Sequence, residues 1–144
     1  MSGPAPKAQF PGGQAGGKSS ARFFRAARLL RHADFERVYA EGERHFGRQA
    51  TFFFLPRAAA GARVGFTVSR MLGGSVERNR IRRRMREAVR LEWKRLGMAA
   101  DIVVNPKRSV LQTDFAEIRQ EVGRAFHVIS KKLRNGSGKE KGAP

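Results

Sequence analysis

Arg78, Asn79, Arg80, Arg82, Arg83, Arg86 and Arg90 fall in one stretch, SVERNRIRRRMREAVRLEW, from Ser75 to Trp93. Guanidinium groups at this density bind phosphate, because their planar forks match its oxygens. Between Arg78 and Arg95 only Glu87 and Glu92 carry the opposite sign. Nothing else in the chain is arranged for catalysis. The histidines, His32, His45 and His127, lack metal-ligand spacing, and His127 lies opposite the apolar stripe of its helix, at the surface. With no cysteine, disulfides, thiolate catalysis and cysteine-based zinc sites are excluded. A protein nuclease needs metal-binding carboxylates or a general acid and base. Asp34, Glu36, Glu41 and Glu43 cluster but read as helix-surface charges, while Asp101 opens a strand and Asp114 caps a helix. The chain is expected to hold no catalytic residue and no metal of its own.

The element that must position the arginines is a helix. At about 100° per residue, Ile81, Met85, Ala88, Val89 and Leu96 share one arc, with Trp93 at its edge. Arg82, Arg83, Arg86, Arg90, Lys94 and Asn79 share the adjacent arc, so a basic ridge runs beside an apolar stripe. Gly73, Gly74 and Ser75 form the turn into the helix. Arg78 and Arg80 then sit where the macrodipole is already positive, and Arg78, Arg82, Arg86 and Arg90 repel one another at i,i+4. Each of these placements costs a few tenths of a kcal/mol, and a bound phosphate offsets them. A solvated helix face is the plainer alternative, but such faces usually mix signs.

Five further elements frame that helix. HADFERVYAEG is a helix stopped by Gly42, and ATFFFLP is a strand ended by Pro56. RAAAGA is a loop leading to a second strand, ARVGFTVSR, in which Val64, Phe66 and Val68 alternate with small polar residues. ADIVVNP is a third strand stopped by Pro106. The last helix starts at Thr113 or Asp114, with Glu117 completing a capping box, and buries Phe115, Ile118, Val122, Ala125, Phe126, Ile129 and Leu133. The order is αββαβα, an α+β domain with helices on a small sheet. Residues 1–20, rich in glycine and proline, and 135–144 read as disordered tails around a domain spanning 21–134. Lys7, Lys18, Arg22, Arg25, Arg28 and Arg31 precede the first acid, Asp34, so the N-terminal arm either grips phosphates or is a solvated tail.

The whole chain has 144 residues and a formal net charge of +18, with 30 basic against 12 acidic side chains. That imbalance asks for a polyanion, nucleic acid before an anionic membrane. No apolar run reaches the roughly 20 residues that cross a bilayer, and no secretory signal is visible. A reducing cytoplasm suits the absence of cysteine. Phe52, Phe53 and Phe54 are consecutive in a strand, so Phe53 points away from Phe52 and Phe54 and shares its face with Thr67 and Ser69. With Phe35 and Tyr39 on the first helix, that face could stack unpaired bases. By pattern alone, aromatics at helical spacing read first as core.

ERNRIRRRMREAVR resembles the signature of the bacterial ribonuclease P protein subunit, of the form R-N-R-x-[KR]-R-x-x-R-E, at Arg78, Asn79, Arg80, Arg82, Arg83, Arg86 and Glu87. RVGFTVSR, HADFERVYAEG and DIVV resemble the family in the same order, so the likeness runs from about Arg28 to Leu133. The resemblance implies an αββαβα two-layer sandwich whose small sheet contains a left-handed βαβ crossover, the fold type of a small-subunit ribosomal protein domain. It also implies a subunit that joins a catalytic RNA and assists removal of the 5′ leader from precursor tRNA, with Mg²⁺ held mainly by RNA and substrate. Carried over by match, Arg78, Asn79, Arg80, Arg82, Arg83, Arg86 and Arg90 bind the RNA subunit. Phe35, Tyr39, Phe53, Thr67, Ser69 and Arg70 line a leader cleft, so here the aromatics read as site rather than core. No protein partner and no membrane are expected. Met71 and the pair Asn105–Pro106 depart from the family pattern, while Lys107 and Arg108 still have the reach to touch RNA. The competing reading is a ribosomal or general RNA-binding structural protein, which charge and tails fit equally well.

Overall fold

Seven regular elements follow one another in the computed structural model, which describes residues 31–142. The stretch 1–20, the basic arm up to Arg28 and the last two residues lie outside the described residues. The elements are α1 (His32–Glu41), β1 (Glu43–Phe46), β2 (Ala50–Pro56), β3 (Arg63–Phe66), α2 (Ser75–Glu92), β4 (Ala100–Pro106) and α3 (Phe115–Gly142). Short 3-10 turns at Arg70–Leu72, Trp93–Arg95 and Arg108–Leu111 join them. The sheet order is β1-β2-β4-β3. β1–β2 and β2–β4 are antiparallel, whereas β3–β4 is parallel. The parallel pair requires a crossover, and α2 is that crossover.

Three readings of the sequence change. ERHF forms a fourth strand, which the pattern does not announce: β1 is an exposed edge held by backbone pairing, and Phe46 remains 69% exposed. The second strand ends at Phe66 rather than running on to Arg70, because Ser69 leaves the extended run to cap the 3-10 turn, its hydroxyl accepting from the Met71 amide at 3.1 Å. α3 continues to Gly142, past Asn135 where the tail was read to begin.

Pleating assigns the phenylalanines. Phe52 and Phe54 enter the main core with Val64, Ile102 and Val104, opposite the stripes of α2 (Ile81, Met85, Ala88, Val89) and α3 (Ile118, Val122, Ala125, Phe126, Ile129, Leu133). Phe126 receives Phe52 and Trp93 edge-on, with ring centroids 6.1 Å and 5.7 Å away. Truncating one of these buried phenylalanines to alanine costs about 3–5 kcal/mol. The sheet and the α2–α3 layer make up the sandwich, and α1 is laid across the opposite sheet face. Gly42 makes that placement possible. Its amide closes α1 on the Val38 carbonyl at 2.8 Å, and a Cβ there would lie 2.5 Å from the Phe54 carbonyl oxygen.

Candidate nucleic-acid interface

The sheet face under α1 is built from alternate residues of three strands. Strand register puts Thr51, Phe53 and Leu55 of β2 beside Asn105, Val103 and Asp101 of β4. Arg63 and Gly65 of β3 lie beside Asp101 and Val103, and the Thr67 amide prolongs the ladder by bonding the Val104 carbonyl at 3.0 Å. The middle of this face is apolar: Val38 of α1 is buried against Val103, with Phe35, Phe53 and Leu55 packed around them. Toward the α1 C-terminus the face opens. Tyr39, 39% exposed, stands edge-on to Phe53 with centroids 4.8 Å apart. Its hydroxyl donates to Asn105 Oδ1 at 3.0 Å and lies 2.9 Å from Thr67 Oγ1. From β1, the Arg44 guanidinium lies 5.9 Å from the Phe53 centroid and 5.6 Å from that of Phe46. An exposed ring, a half-buried ring beside it, a hydroxyl and a cation over Phe53 are the components of a site that stacks unpaired bases.

The other end of the same face is ionic, and here the surface-charge reading of Asp34 fails. Asp34 is buried, and Asp101 is only 1% exposed. Arg63 meets Asp101 in two parallel bonds of 2.9 Å. Arg37 bridges Asp101 and Asp34 at 3.3 Å to each, Arg63 also reaches Asp34 at 3.4 Å, and Arg57 pairs with Asp101 at 3.5 Å. The physical reason is desolvation. A carboxylate on a covered sheet face must find cations, and three arginines converge from α1, the β2–β3 loop and β3. The Arg63 pKa is raised, first by its hydrogen bond to Asp101 and against the effect of burial. The cluster clamps α1 to the sheet and so sets where Tyr39 meets Phe53.

On α2 the apolar stripe is buried and the adjacent arc is open, as the helical wheel requires. Arg80 and Arg83 are exposed and have no hydrogen-bond or ion-pair partner among the described residues. Arg82 donates to Asn79 Oδ1 at 2.9 Å, and Arg78 donates to the Gly73 carbonyl at 3.2 Å. Arg86 is half-buried, and Arg90 is bound by Glu87 through both nitrogens of its fork. The helix start is partly spoken for: Gly74 is the N-cap, and its amide donates to the Glu77 carboxylate at 3.0 Å. An anion drawn to this end therefore meets the arginine side chains rather than that amide. Arg84, outside the ridge, instead turns inward and donates to the Thr113 carbonyl.

The remaining expected residues divide. Thr67 joins the Tyr39–Phe53 group, whereas Ser69 spends its hydroxyl on the turn. Arg70 and Met71 are exposed, Met71 by 93%. Asn105, which departs from the family pattern, holds the Tyr39 hydroxyl. Lys107 and Arg108 each donate to a backbone carbonyl, of Gly47 and Leu72 respectively, and tie neighbouring loops together. Arg44 and Asn105 join the site without having been expected there. The arginine could be found only once β1 was known to pair with β2. Among the described residues no three His, Asp or Glu side chains converge on a cation position, and the two buried aspartates face arginines. No helix among the described residues is long and apolar enough to cross a membrane.

Comparison with known proteins places the chain among ribonuclease P proteins. Residues 23–130 match the Ribonuclease P family. The chain is 42% identical over 103 residues to the ribonuclease P protein component of Symbiobacterium thermophilum, covering 71% of this chain and 90% of that one. It is 39% identical over 115 residues to the same component from Citrifermentans bemidjiense, covering 79% and 97%. The solved RNase P protein from Thermotoga maritima is similar in structure, with a TM-score of 0.65 at 25% identity, over 71% of this chain and 96% of that one.

Proposed function

Since this chain belongs to the ribonuclease P protein family, we propose that its two open surfaces divide the work of that ribonucleoprotein between RNA subunit and substrate. The protein component is a subunit of an endoribonuclease that processes the 5′ end of tRNA, and catalysis lies in the RNA. The family supports this reading and not a purely structural ribosomal role. On α2, Arg78, Asn79, Arg80, Arg82, Arg83, Arg86 and Arg90 bind phosphates of the RNA subunit. In the cleft, Phe35, Tyr39, Phe53 and Thr67 take the single-stranded leader of precursor tRNA, with Ser69 and Arg70 at its edge. The observation that carries this division is the Tyr39–Phe53 pair, an exposed and a half-buried ring set nearly at right angles beside a hydroxyl network, on the sheet face opposite the α2 layer.

The described carboxylates do not make a cation site, so no metal step is assigned to this chain. In this reading Mg²⁺ is held by RNA and substrate, and the protein, working in the cytoplasm, lowers the concentration required by neutralising phosphates. Reconstitution with the cognate RNA tests it. The protein should lower the Mg²⁺ needed for precursor cleavage and tighten binding of precursor over mature tRNA. Phe53→Ala and Tyr39→Ala should each weaken precursor binding by roughly 1–3 kcal/mol per lost stack. Equal losses for mature tRNA would sink the leader assignment, and a wild-type protein with no effect at low Mg²⁺ would sink the whole reading.

A further inference from the structure

Glu92 closes α2, and its carboxylate is buried between α2 and α3. It accepts from Arg95 Nε at 2.6 Å and from Arg119 Nε. Burial alone would raise its pKa, but the bonds from Arg119 and Arg95 outweigh burial and hold it below its ordinary value of 4.5. Both arginines therefore spend their inner nitrogen on the carboxylate. Their terminal nitrogens donate to no group among the described residues, and both side chains are about half exposed or more. Gly123 makes this packing possible. A Cβ there would come within 2.8 Å of Glu92 Oε1 and 3.3 Å of the Arg95 side chain, although glycine is a poor residue inside a helix.

The pair opens on a groove of about 790 Å³ lined by Arg95, Arg119, Gln120, Gly123, Arg124 and His127. Arg124 is exposed and has no hydrogen-bond or ion-pair partner among the described residues. Glu121, one turn before Arg124 on α3, is engaged by the Gln49 amide at 2.7 Å. One buried carboxylate thus presents two guanidiniums, and a third stands free beside them. That is a preorganised oxyanion fork, because a guanidinium already fixed at one nitrogen loses little freedom when its others bind.

We infer that this groove is a second phosphate-binding site, which grips a phosphodiester of RNA through Arg95, Arg119 and Arg124. It lies beyond the C-terminal end of α2, between Arg95 and α3 rather than on the arc of Arg82 and Arg86, and roughly 25 Å from Arg78 at 1.5 Å per residue. The inference rests on the ribonuclease P reading only for which RNAs are present. The phosphodiester belongs either to the RNA subunit or to precursor tRNA, and both are measured.

The test is binding of full-length protein to the cognate RNA subunit over a salt series, then binding of precursor tRNA by the saturated holoenzyme. Arg124→Gln should weaken one of the two about three- to tenfold at moderate salt and reduce its salt slope by about one. Whichever RNA shows the loss is the source of the phosphate. Glu92→Gln separates a built site from bulk charge. It raises the net positive charge, so non-specific attraction predicts tighter binding, whereas loss of the fork predicts weaker binding. Thermal melts check that Glu92→Gln still folds, and Arg124→Gln removes no internal bond, so it decides the matter alone if Glu92→Gln does not. Unchanged affinity and slope for Arg124→Gln with both RNAs overturn the inference. If Arg82→Ala weakens RNA-subunit binding in the same series, the family reading stands while the groove fails. If the wild-type protein binds neither RNA, the proposed function itself fails.

Discussion

Asp101→Asn tests the clamp beneath the proposed leader cleft. The side chain keeps its shape, and one oxygen can still accept from Arg63, but the charge facing Arg37, Arg57 and Arg63 is gone. Removing one partner of a buried ion pair costs about 3–5 kcal/mol when the other stays buried. Here the arginine side chains are 46%, 20% and 25% exposed, so water recovers part of their solvation and the expected loss is about 2–3 kcal/mol. For a domain of this size that corresponds to a fall in Tm of about 8–12 °C. Asp34→Asn should cost less, about 1 kcal/mol, because Asp34 makes only longer bonds of 3.3 Å and 3.4 Å through one oxygen. The functional readout is more pointed. α1 carries Tyr39, so loosening its anchor should reduce affinity for precursor tRNA at temperatures well below Tm, with little change for mature tRNA and RNA-subunit binding intact. A Tm within about 2 °C of wild type would refute the energetic reasoning. A normal preference for precursor in a clearly destabilised variant would refute the link between clamp and cleft.

Other outcomes follow from the same geometry. Tyr39→Phe removes the bonds to Asn105 and Thr67 but keeps the ring, so it should retain most leader affinity while losing up to about 1 kcal/mol of stability. An effect as large as that of Tyr39→Ala in a competition assay would show that the hydroxyl, not the stack, carries binding. Gly42→Ala drives a methyl into the Phe54 and Val38 carbonyls and should cost about 1–3 kcal/mol, read as a shift in the urea midpoint. His45 has its pKa lowered from 6.5 by burial and by the nearby charges of Lys132 and Arg124, against the opposite pull of Glu121. The unfolded chain takes up this proton more readily, so His45 contributes stability above about pH 6.5 that is lost as pH falls through the folded pKa. Denaturant melts at pH 7.5, 6.5 and 5.5 should show a decline in wild type that is shallower in His45→Gln. Equal slopes would count against a half-buried histidine that resists protonation.

The sequence was most legible where one residue type has one structural consequence. Pro56 and Pro106 end β2 and β4 where they were expected to, and the 3.6-residue period separates core stripe from cationic arc on α2. Strict alternation put Phe53 on the face away from Phe52 and Phe54, beside Tyr39 in the proposed leader cleft. What stayed hidden depends on partners distant in sequence. ERHF carries no alternation, because an exposed edge strand needs only its backbone. Asp101 looks like any strand-opening acid until Arg37, Arg57 and Arg63 are brought around it. Ser69 continues the alternating pattern of β3 by composition, but a local bond to the Met71 amide is worth more to it than a ladder position. Asn105 looked like a departure from the family, and it supplies the acceptor that orients Tyr39.

The strand order has a consequence for how the protein is made. β2 and β3 are consecutive in the chain yet do not pair, because β4 lies between them. As the chain leaves the ribosome, β3 has no partner and β2 has only its edge hairpin with β1 until residues 100–106 arrive. The parallel pairing that closes the sheet must span all of α2, which is slow because loop closure precedes any reward. During that interval a nascent chain exposes an unpaired strand and a row of arginines, a combination suited to wrong partners. A truncation before Ala100 should therefore yield no folded intermediate at all, and early contact with RNA would offer the growing chain a way to hide its charge before its core exists.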